Sequence, residues 1–300
     1  MRKILSNHTK NKLERKNYFK SLFSYVFKKK DFIISLVILT TIFIAGLVMR
    51  CSKLFENLYT INLEKAFLPP SLKHIFGTNE FGQDMFYLVI TGSFNTLCFS
   101  IFITITNIII GTIIGIMWGN NQKLDLFIIF LKGILNNIPL IFIYILFIFF
   151  FGINYHSLFI IIILIGWIDV ACLVRNNLII IRNKDYNTYS KLAKTPFLYK
   201  ALNNYLPAIL PVIFHYFALS IPQVISIEVN VSYISFPVSN GYSSLGMLVY
   251  SSIYDNNCMM YPHLIIFPLI FLVIINMCVY KIGKSLSAQS VFGGESNAKS

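Results

Sequence analysis

Residues 32–49 read FIISLVILTTIFIAGLVM, an apolar stretch that carries no charge. A membrane-spanning helix needs about 20 such residues, because each adds 1.5 Å against roughly 30 Å of hydrocarbon. A basic segment precedes the stretch, and no small-x-small cleavage site follows it. The stretch therefore predicts an uncleaved first span rather than a signal peptide.

Five more apolar stretches follow it along the chain. They are Tyr87–Trp118, Leu126–Phe151, Ser157–Val174, Pro207–Ile227 and Pro262–Tyr280. Lys132 and the Asn136-Asn137 pair predict that the third stretch enters the hydrocarbon late, near Pro139. The whole chain is 56% hydrophobic and only 12% charged, against about 25% charged in soluble domains. The fold class predicted is all-α, a polytopic membrane protein with six transmembrane helices.

Basic residues set the predicted orientation. Residues 1–31 hold ten Lys/Arg against two acids, and residues 175–206 hold six against Asp185 alone. Residues 228–261 hold no Lys or Arg. Cytoplasmic loops carry the basic excess, so six spans with both termini in the cytoplasm place every basic segment inside. The net charge of +13 is explained in this way and does not indicate nucleic acid.

The spans and loops divide the chain into five predicted parts. These are a basic cytoplasmic segment (1–31), a first helix (32–49), an extracytoplasmic loop (50–86), a five-helix core with a cytoplasmic loop at 175–206 (87–280), and a cytoplasmic tail (281–300). Cys51 and Cys258 both fall outside, where two free thiols are favoured over a disulfide.

The cytoplasmic loop has helical periodicity in two short runs separated by Pro196. The first run carries Tyr189, Leu192 and Ala193, and the second carries Tyr199, Leu202 and Leu206. Such an amphipathic pair can lie on the membrane or dock into a partner's groove. A solvated basic loop remains the alternative.

Two acids are candidates for the translocation pathway. A charge inside a span is costly unless it is paired or faces water, so Asp169 is a pathway candidate, with a pair to Arg175 as the alternative. Glu228, at the predicted end of the fifth span, lines the outer pore or supports the outer loop, with the structural role favoured. No nucleotide-binding, metal-binding or hydrolase motif occurs in the sequence, so no catalytic, cofactor or metal residue is predicted.

Several segments together resemble the permeases of ABC importers for dipeptides, oligopeptides and nickel. The stretch GTNEFGQD at 77–84 is similar to the family's G-T-D-x-x-G-R-D signature, and WIDVACLVR at 167–175 to its W-x-x-x-x-R-x-x-R stretch. Further matches are Tyr186 before the cytoplasmic E-A-A motif, Leu206-Pro207 at its end, Glu228, Ser232 and Tyr233 in the E-a-x-L-S-F segment, and Leu245-Gly246-Met247-Leu248 in the later W-G-x-M-L segment. The departures are Gln83 for the signature arginine, Thr188-Tyr189-Ser190 for E-A-A, and Lys194 for the motif glycine.

The resemblance implies the second permease of a pair in a bacterial inner membrane, with the fold of a type I ABC importer. It implies as partners another permease, cytoplasmic subunits that bind ATP and magnesium, and an extracytoplasmic solute-binding protein. The ATPase-coupling residues it implies are Tyr186, Tyr189, Leu192, Ala193, Lys194, Leu202, Leu206 and Pro207. Peptides are the expected cargo, with nickel or a metal chelate as the alternative. A stand-alone secondary transporter or channel is the rival of another class, and it would typically show inverted repeats, which this sequence lacks.

Overall fold

The computed structural model describes residues 29–52, 60–152, 155–182, 196–234, 243–254 and 257–296. Its regular structure in these ranges is helical. The helices are α1 (Lys30–Cys51), α2 (Met85–Asn120), α3 (Gln122–Asn137), α4 (Leu140–Phe151), α5 (Tyr155–Arg182), α6 (Phe197–Lys200), α7 (Leu206–Ile234), α8 (Leu245–Tyr254), α9 (Asn257–Met260) and α10 (His263–Ser296). The predicted all-α class is confirmed.

Within the described ranges, five helices are long and apolar enough to cross a membrane, and a bent pair can make a sixth span. That pair is α3 and α4, which meet at an angle of 90°. The third predicted span is therefore broken rather than continuous. Pro139 explains the break, because it lacks a backbone donor and disfavours helix at the residue before it.

Three other helices end beyond their predicted limits. The fourth span continues beyond Val174 to Arg182, the fifth beyond Ile227 to Ile234, and the sixth beyond Tyr280 to Ser296. Hydropathy marks where a helix leaves lipid, and it does not mark where the backbone stops being helical. Glu228 is consequently an interior residue of α7 and not its end.

The second short helix predicted in the cytoplasmic loop is not a separate element. α6 continues through a π-helical turn, Ala201–Tyr205, directly into α7. The turn lies immediately before Pro207, which has no N–H to donate to the turn before it. Wider π turns accommodate such interruptions, so the loop's second half forms the start of a spanning helix.

The α2 helix is central to the bundle and packs against α1, α5, α7, α8 and α10. Its closest neighbour is α5, which it meets through three glycines spaced four residues apart. A Cβ on Gly111 would lie 2.5 Å from Val170 Cβ, one on Gly115 2.7 Å from the Ala171 carbonyl oxygen, and one on Gly119 2.6 Å from a Leu178 methyl. Small residues at this spacing let membrane helices approach closely, so the stripe fixes the α2–α5 contact.

The GTNEFGQD segment folds as a tight loop that ends in the N-cap of α2. The Asn79 carboxamide oxygen accepts from the N–H groups of Phe81 and Gln83, at 3.1 and 2.8 Å. Gly82 has a positive φ of 72°, and a Cβ there would lie 1.9 Å from the Asn62 carbonyl oxygen. Only glycine fits this position. The residues at 77–84 that resemble the family signature therefore serve to fix a backbone conformation.

Candidate functional site

A small cleft opens between α2, α4, α5 and α7 and encloses about 60 Å³. The polar part of its lining comes from Thr104, Asn107, Tyr144, Asp169, Tyr216, Ser220 and Gln223. The buried oxygens Thr104 Oγ1 and Asn107 Oδ1 have no hydrogen-bond partner in the described part of the chain. Buried polar groups are nearly always satisfied, so these two oxygens are exceptions.

Asp169, one of the two predicted pathway residues, lies in this lining. Its side chain is 65% exposed, and its Oδ1 lies 3.1 Å from Lys132 Nζ on α3. The predicted alternative, a pair with Arg175, is wrong. Residues six apart on a helix point roughly 120° away from each other, so Asp169 and Arg175 cannot share a face of α5.

Arg175 instead makes a bidentate ion pair with Asp125. Its Nε lies 2.6 Å from Oδ1 and its Nη2 2.5 Å from Oδ2. The pair joins α3 to α5. Two turns further along the same face of α5, Arg182 donates to the Gly119 carbonyl at 3.3 Å. Bidentate guanidinium–carboxylate pairs fix relative orientation, so this pair holds α3 against the bundle.

Glu228 is enclosed where α2, α7 and α8 meet. Its side chain is 1% exposed and lies beside the hydroxyls of Thr96 and Ser244. These hydroxyls already accept from the backbone N–H groups of Leu245 and Met247, at 3.2 and 3.3 Å. Neither carboxylate oxygen of Glu228 completes a hydrogen bond within the described ranges. The enclosure favours the structural role, while a role in the pathway stays a prediction.

Most of the predicted coupling surface lies outside the described residues. Tyr186, Tyr189, Leu192, Ala193 and Lys194 belong to that undescribed part. The other three residues, Leu202, Leu206 and Pro207, lie at the junction of α6 and α7. The described residues also do not test the predicted free thiols of Cys51 and Cys258. Cys51 is exposed, but the side chain of Cys258 is not described.

The described part of the coupling surface has one apolar face buried and one open. Ala201 and Tyr205 pack against Leu178 and Ile181 of α5. Leu198, Tyr199 and Leu202 are all at least half exposed. Of the three apolar residues in the predicted periodic run, Tyr199 and Leu202 are therefore on the unpacked face, whereas Leu206 packs against the buried cluster.

Sequence reasoning missed the glycine stripe of α2 and both interhelical ion pairs. The stripe had a readable signal, since Gly111, Gly115 and Gly119 form two overlapping G-x-x-x-G patterns. The ion pairs had none, because Lys132–Asp169 and Asp125–Arg175 join residues far apart in the chain.

Comparison with known proteins gives a consistent result along most of the chain. Residues 111–289 match the family described as "Binding-protein-dependent transport system inner membrane component". The chain is 27% identical over 277 residues to the oligopeptide transport system permease protein AmiD of Streptococcus pneumoniae, which covers 91% of this chain and 89% of that protein.

Two further relatives have related names. The oligopeptide transport system permease protein OppC of Haemophilus influenzae is 28% identical over 214 residues, covering 71% of this chain and 68% of that protein. The dipeptide transport system permease protein DppC of Bacillus subtilis is 25% identical over 182 residues, covering 60% and 57%. The family match at residues 111–289 includes α5, α7 and the coupling surface, and it includes the cleft except for Thr104 and Asn107.

Proposed function

Since this chain belongs to the family of binding-protein-dependent transport system inner membrane components, we propose that it is the membrane-spanning permease subunit of a peptide importer. The similarity to an oligopeptide permease over 91% of the chain carries this proposal. The relatives named above are permeases for oligopeptides or dipeptides. The chain supplies part of a pathway through the bacterial inner membrane, and peptides are its cargo.

The energy source in this proposal is ATP hydrolysis on separate cytoplasmic subunits. A second permease completes the pathway, and an extracytoplasmic protein delivers the peptide. An exposed apolar face supports such an assembly. The face formed by Leu198, Tyr199 and Leu202 exposes apolar surface next to the loop with coupling-motif resemblance. Exposed apolar patches next to polar surface are typical of protein interfaces.

The Lys132–Asp169 pair supports a pathway on the α3–α5 side of the bundle. An exposed carboxylate on an apolar spanning helix is too costly to face lipid. The second permease or a water-filled passage therefore covers this side, and Asp169 is proposed as a pathway residue.

Transport is tested by co-expressing the chain with the products of its neighbouring genes and reconstituting the purified assembly in vesicles. We expect uptake of a radiolabelled oligopeptide that requires both ATP and the binding protein. Uptake driven by an ion gradient, by this chain alone, would contradict the proposal.

The coupling surface is tested with two neighbouring substitutions that introduce the same side chain. Leu202 and Asn203 are both exposed on the α6–α7 junction. Leu202→Ser removes apolar contact area and is expected to lower ATPase recovery in affinity purification about threefold to tenfold, since burying the exposed half of a leucine contributes about 0.7–1.4 kcal/mol. Asn203→Ser is the matched control and should leave recovery unchanged. Equal recovery with both variants would contradict a coupling role for Leu202.

A further inference from the structure

The Lys132–Asp169 pair places an exposed, charged side chain on an apolar helix that is long enough to span the membrane. Asp169 belongs to a helix whose apolar window has a mean hydropathy of 2.7, yet its side chain is 65% exposed, against 27% for Lys132. Lys132 Nζ meets only one carboxylate oxygen, Oδ1, at 3.1 Å. The other side of the carboxylate is open to an approaching group.

Other polar groups line the cleft beside this carboxylate. They include Gln223 and Tyr216. Thr104 and Asn107 line it too, and their buried oxygens have no partner in the described part of the chain. Each of these groups can accept a hydrogen bond, and a carboxylate beside such groups is a site for a cation that donates hydrogen bonds.

We propose that Asp169 holds the amino-terminal ammonium of the transported peptide, which displaces the Lys132 ammonium from its carboxylate. This inference rests on the proposed function. The peptide ammonium keeps the carboxylate paired. The displaced Lys132 ammonium, which lies at the end of a long flexible stem, moves into the water of the passage. Lys132 does not line the cleft and returns to Asp169 after the peptide leaves. Asp169 thus determines a preference for peptides with a free amino terminus.

The test uses the full reconstituted assembly and two peptides that differ only in amino-terminal acetylation. Two ratios are measured. The first is the initial uptake rate of the free peptide over that of the acetylated peptide, and the second is the corresponding ratio for binding to the isolated delivery protein. The readout, called the corrected ratio, is the first ratio divided by the second. Asp169→Asn is expected to lower this corrected ratio about fivefold, which is the effect of losing a partly exposed ion pair. Asp169→Glu keeps the carboxylate and should keep the ratio.

Two further variants separate the proposal from a general loss of charge pairing. Asp125→Asn also breaks an ion pair between α3 and α5, but its carboxylate does not line the cleft, so it should leave the corrected ratio unchanged whatever it does to the overall rate. Lys132→Met frees Asp169 and should maintain or raise the ratio. If Lys132→Met lowers the ratio as much as Asp169→Asn does, the pair matters only structurally and the proposal is wrong.

The outcome also separates this proposal from the proposed function. Absence of ATP-dependent uptake of either peptide by the unmodified assembly would contradict the function itself. Robust uptake with the same corrected ratio in the unmodified and Asp169→Asn assemblies would overturn only the ammonium site.

Discussion

Asp84 connects the outer loop to the central helix through both of its carboxylate oxygens. Oδ1 accepts from the N–H groups of Phe86 and Tyr87, at 2.9 and 3.4 Å, and so caps the first turn of α2. Oδ2 pairs with His74 Nδ1 at 2.9 Å. Helix N-termini leave unsatisfied donors and favour negative charge, so one residue stabilises both the loop and the helix that packs most widely.

Substitution of Asp84 separates these two interactions. Asp84→Ala removes both and should destabilise the protein by about 1–2 kcal/mol, mostly from the lost cap. Asp84→Asn keeps a capping oxygen and should lose less than half of that. Thermal unfolding of the purified protein in mild detergent measures the difference. Asp31→Ala is the control, since Asp31 lies in the first turn of α1 without capping it, and a shift equal to that of Asp84→Ala would refute the capping role.

Asp169 and Glu228 show which site residues can be predicted from the sequence alone. Asp169 and Glu228 can be picked out because a charge in an apolar run is unusual whatever surrounds it. Their neighbours cannot be picked out, because Lys132 and Thr96 come from other helices and lie beside them only through packing. Local spacing suggests Arg175 for Asp169, and helix geometry then excludes it.

At the scale of elements, the α2–α5 contact is close along three successive glycines of α2. Gly111, Gly115 and Gly119 present backbone rather than side chains to α5. Apolar surface is no driving force between helices in lipid, so close packing of backbones has to provide the attraction. The cleft and Asp169 depend on this contact, because α5 carries one wall of the cleft.

Gly115→Ala tests the contact with the smallest available change. The added Cβ would lie 2.7 Å from the Ala171 carbonyl oxygen and 2.8 Å from Val174 Cβ. Helices must separate to admit it, and we expect a loss of about 1–3 kcal/mol, measured as the fraction of monodisperse protein left after heating in detergent. Gly133→Ala is the matched control, because a Cβ on Gly133 meets nothing within 4 Å. Alanine there is expected to be neutral or stabilising, and a loss as large as that of Gly115→Ala would contradict the role of the stripe.

Hydropathy predicts the elements themselves better than their ends. It finds each apolar run, because a run reports which solvent its side chains contact. It does not find the 90° bend at Pro139, the extension of α5 to Arg182, or the fusion of α6 with α7. Those features depend on backbone hydrogen bonding and on packing between helices, which composition does not record.

For the whole molecule, the bent pair α3–α4 decides the topology. α4 has 12 residues, about 18 Å of helix, which is too short to cross the hydrocarbon without α3. If the pair turns back instead of crossing, α5 runs outward and the basic segment 183–195 lies outside. The positive-inside rule opposes that arrangement, so we propose that the pair crosses and that both termini are cytoplasmic.

Cysteine labelling distinguishes the two topologies. In a variant with its five native cysteines replaced by serine, Leu72→Cys and Lys284→Cys place single thiols at exposed positions near opposite ends of the described chain. With six spans, a membrane-impermeant maleimide labels position 72 in right-side-out vesicles and reaches position 284 only after permeabilisation. With five spans, both positions lie on the same side and react together. Equal labelling of both positions after permeabilisation is the control for thiol reactivity. Labelling of position 284 in sealed vesicles would contradict the six-span topology. It would place the carboxyl terminus outside, and α3–α4 would then be a re-entrant pair.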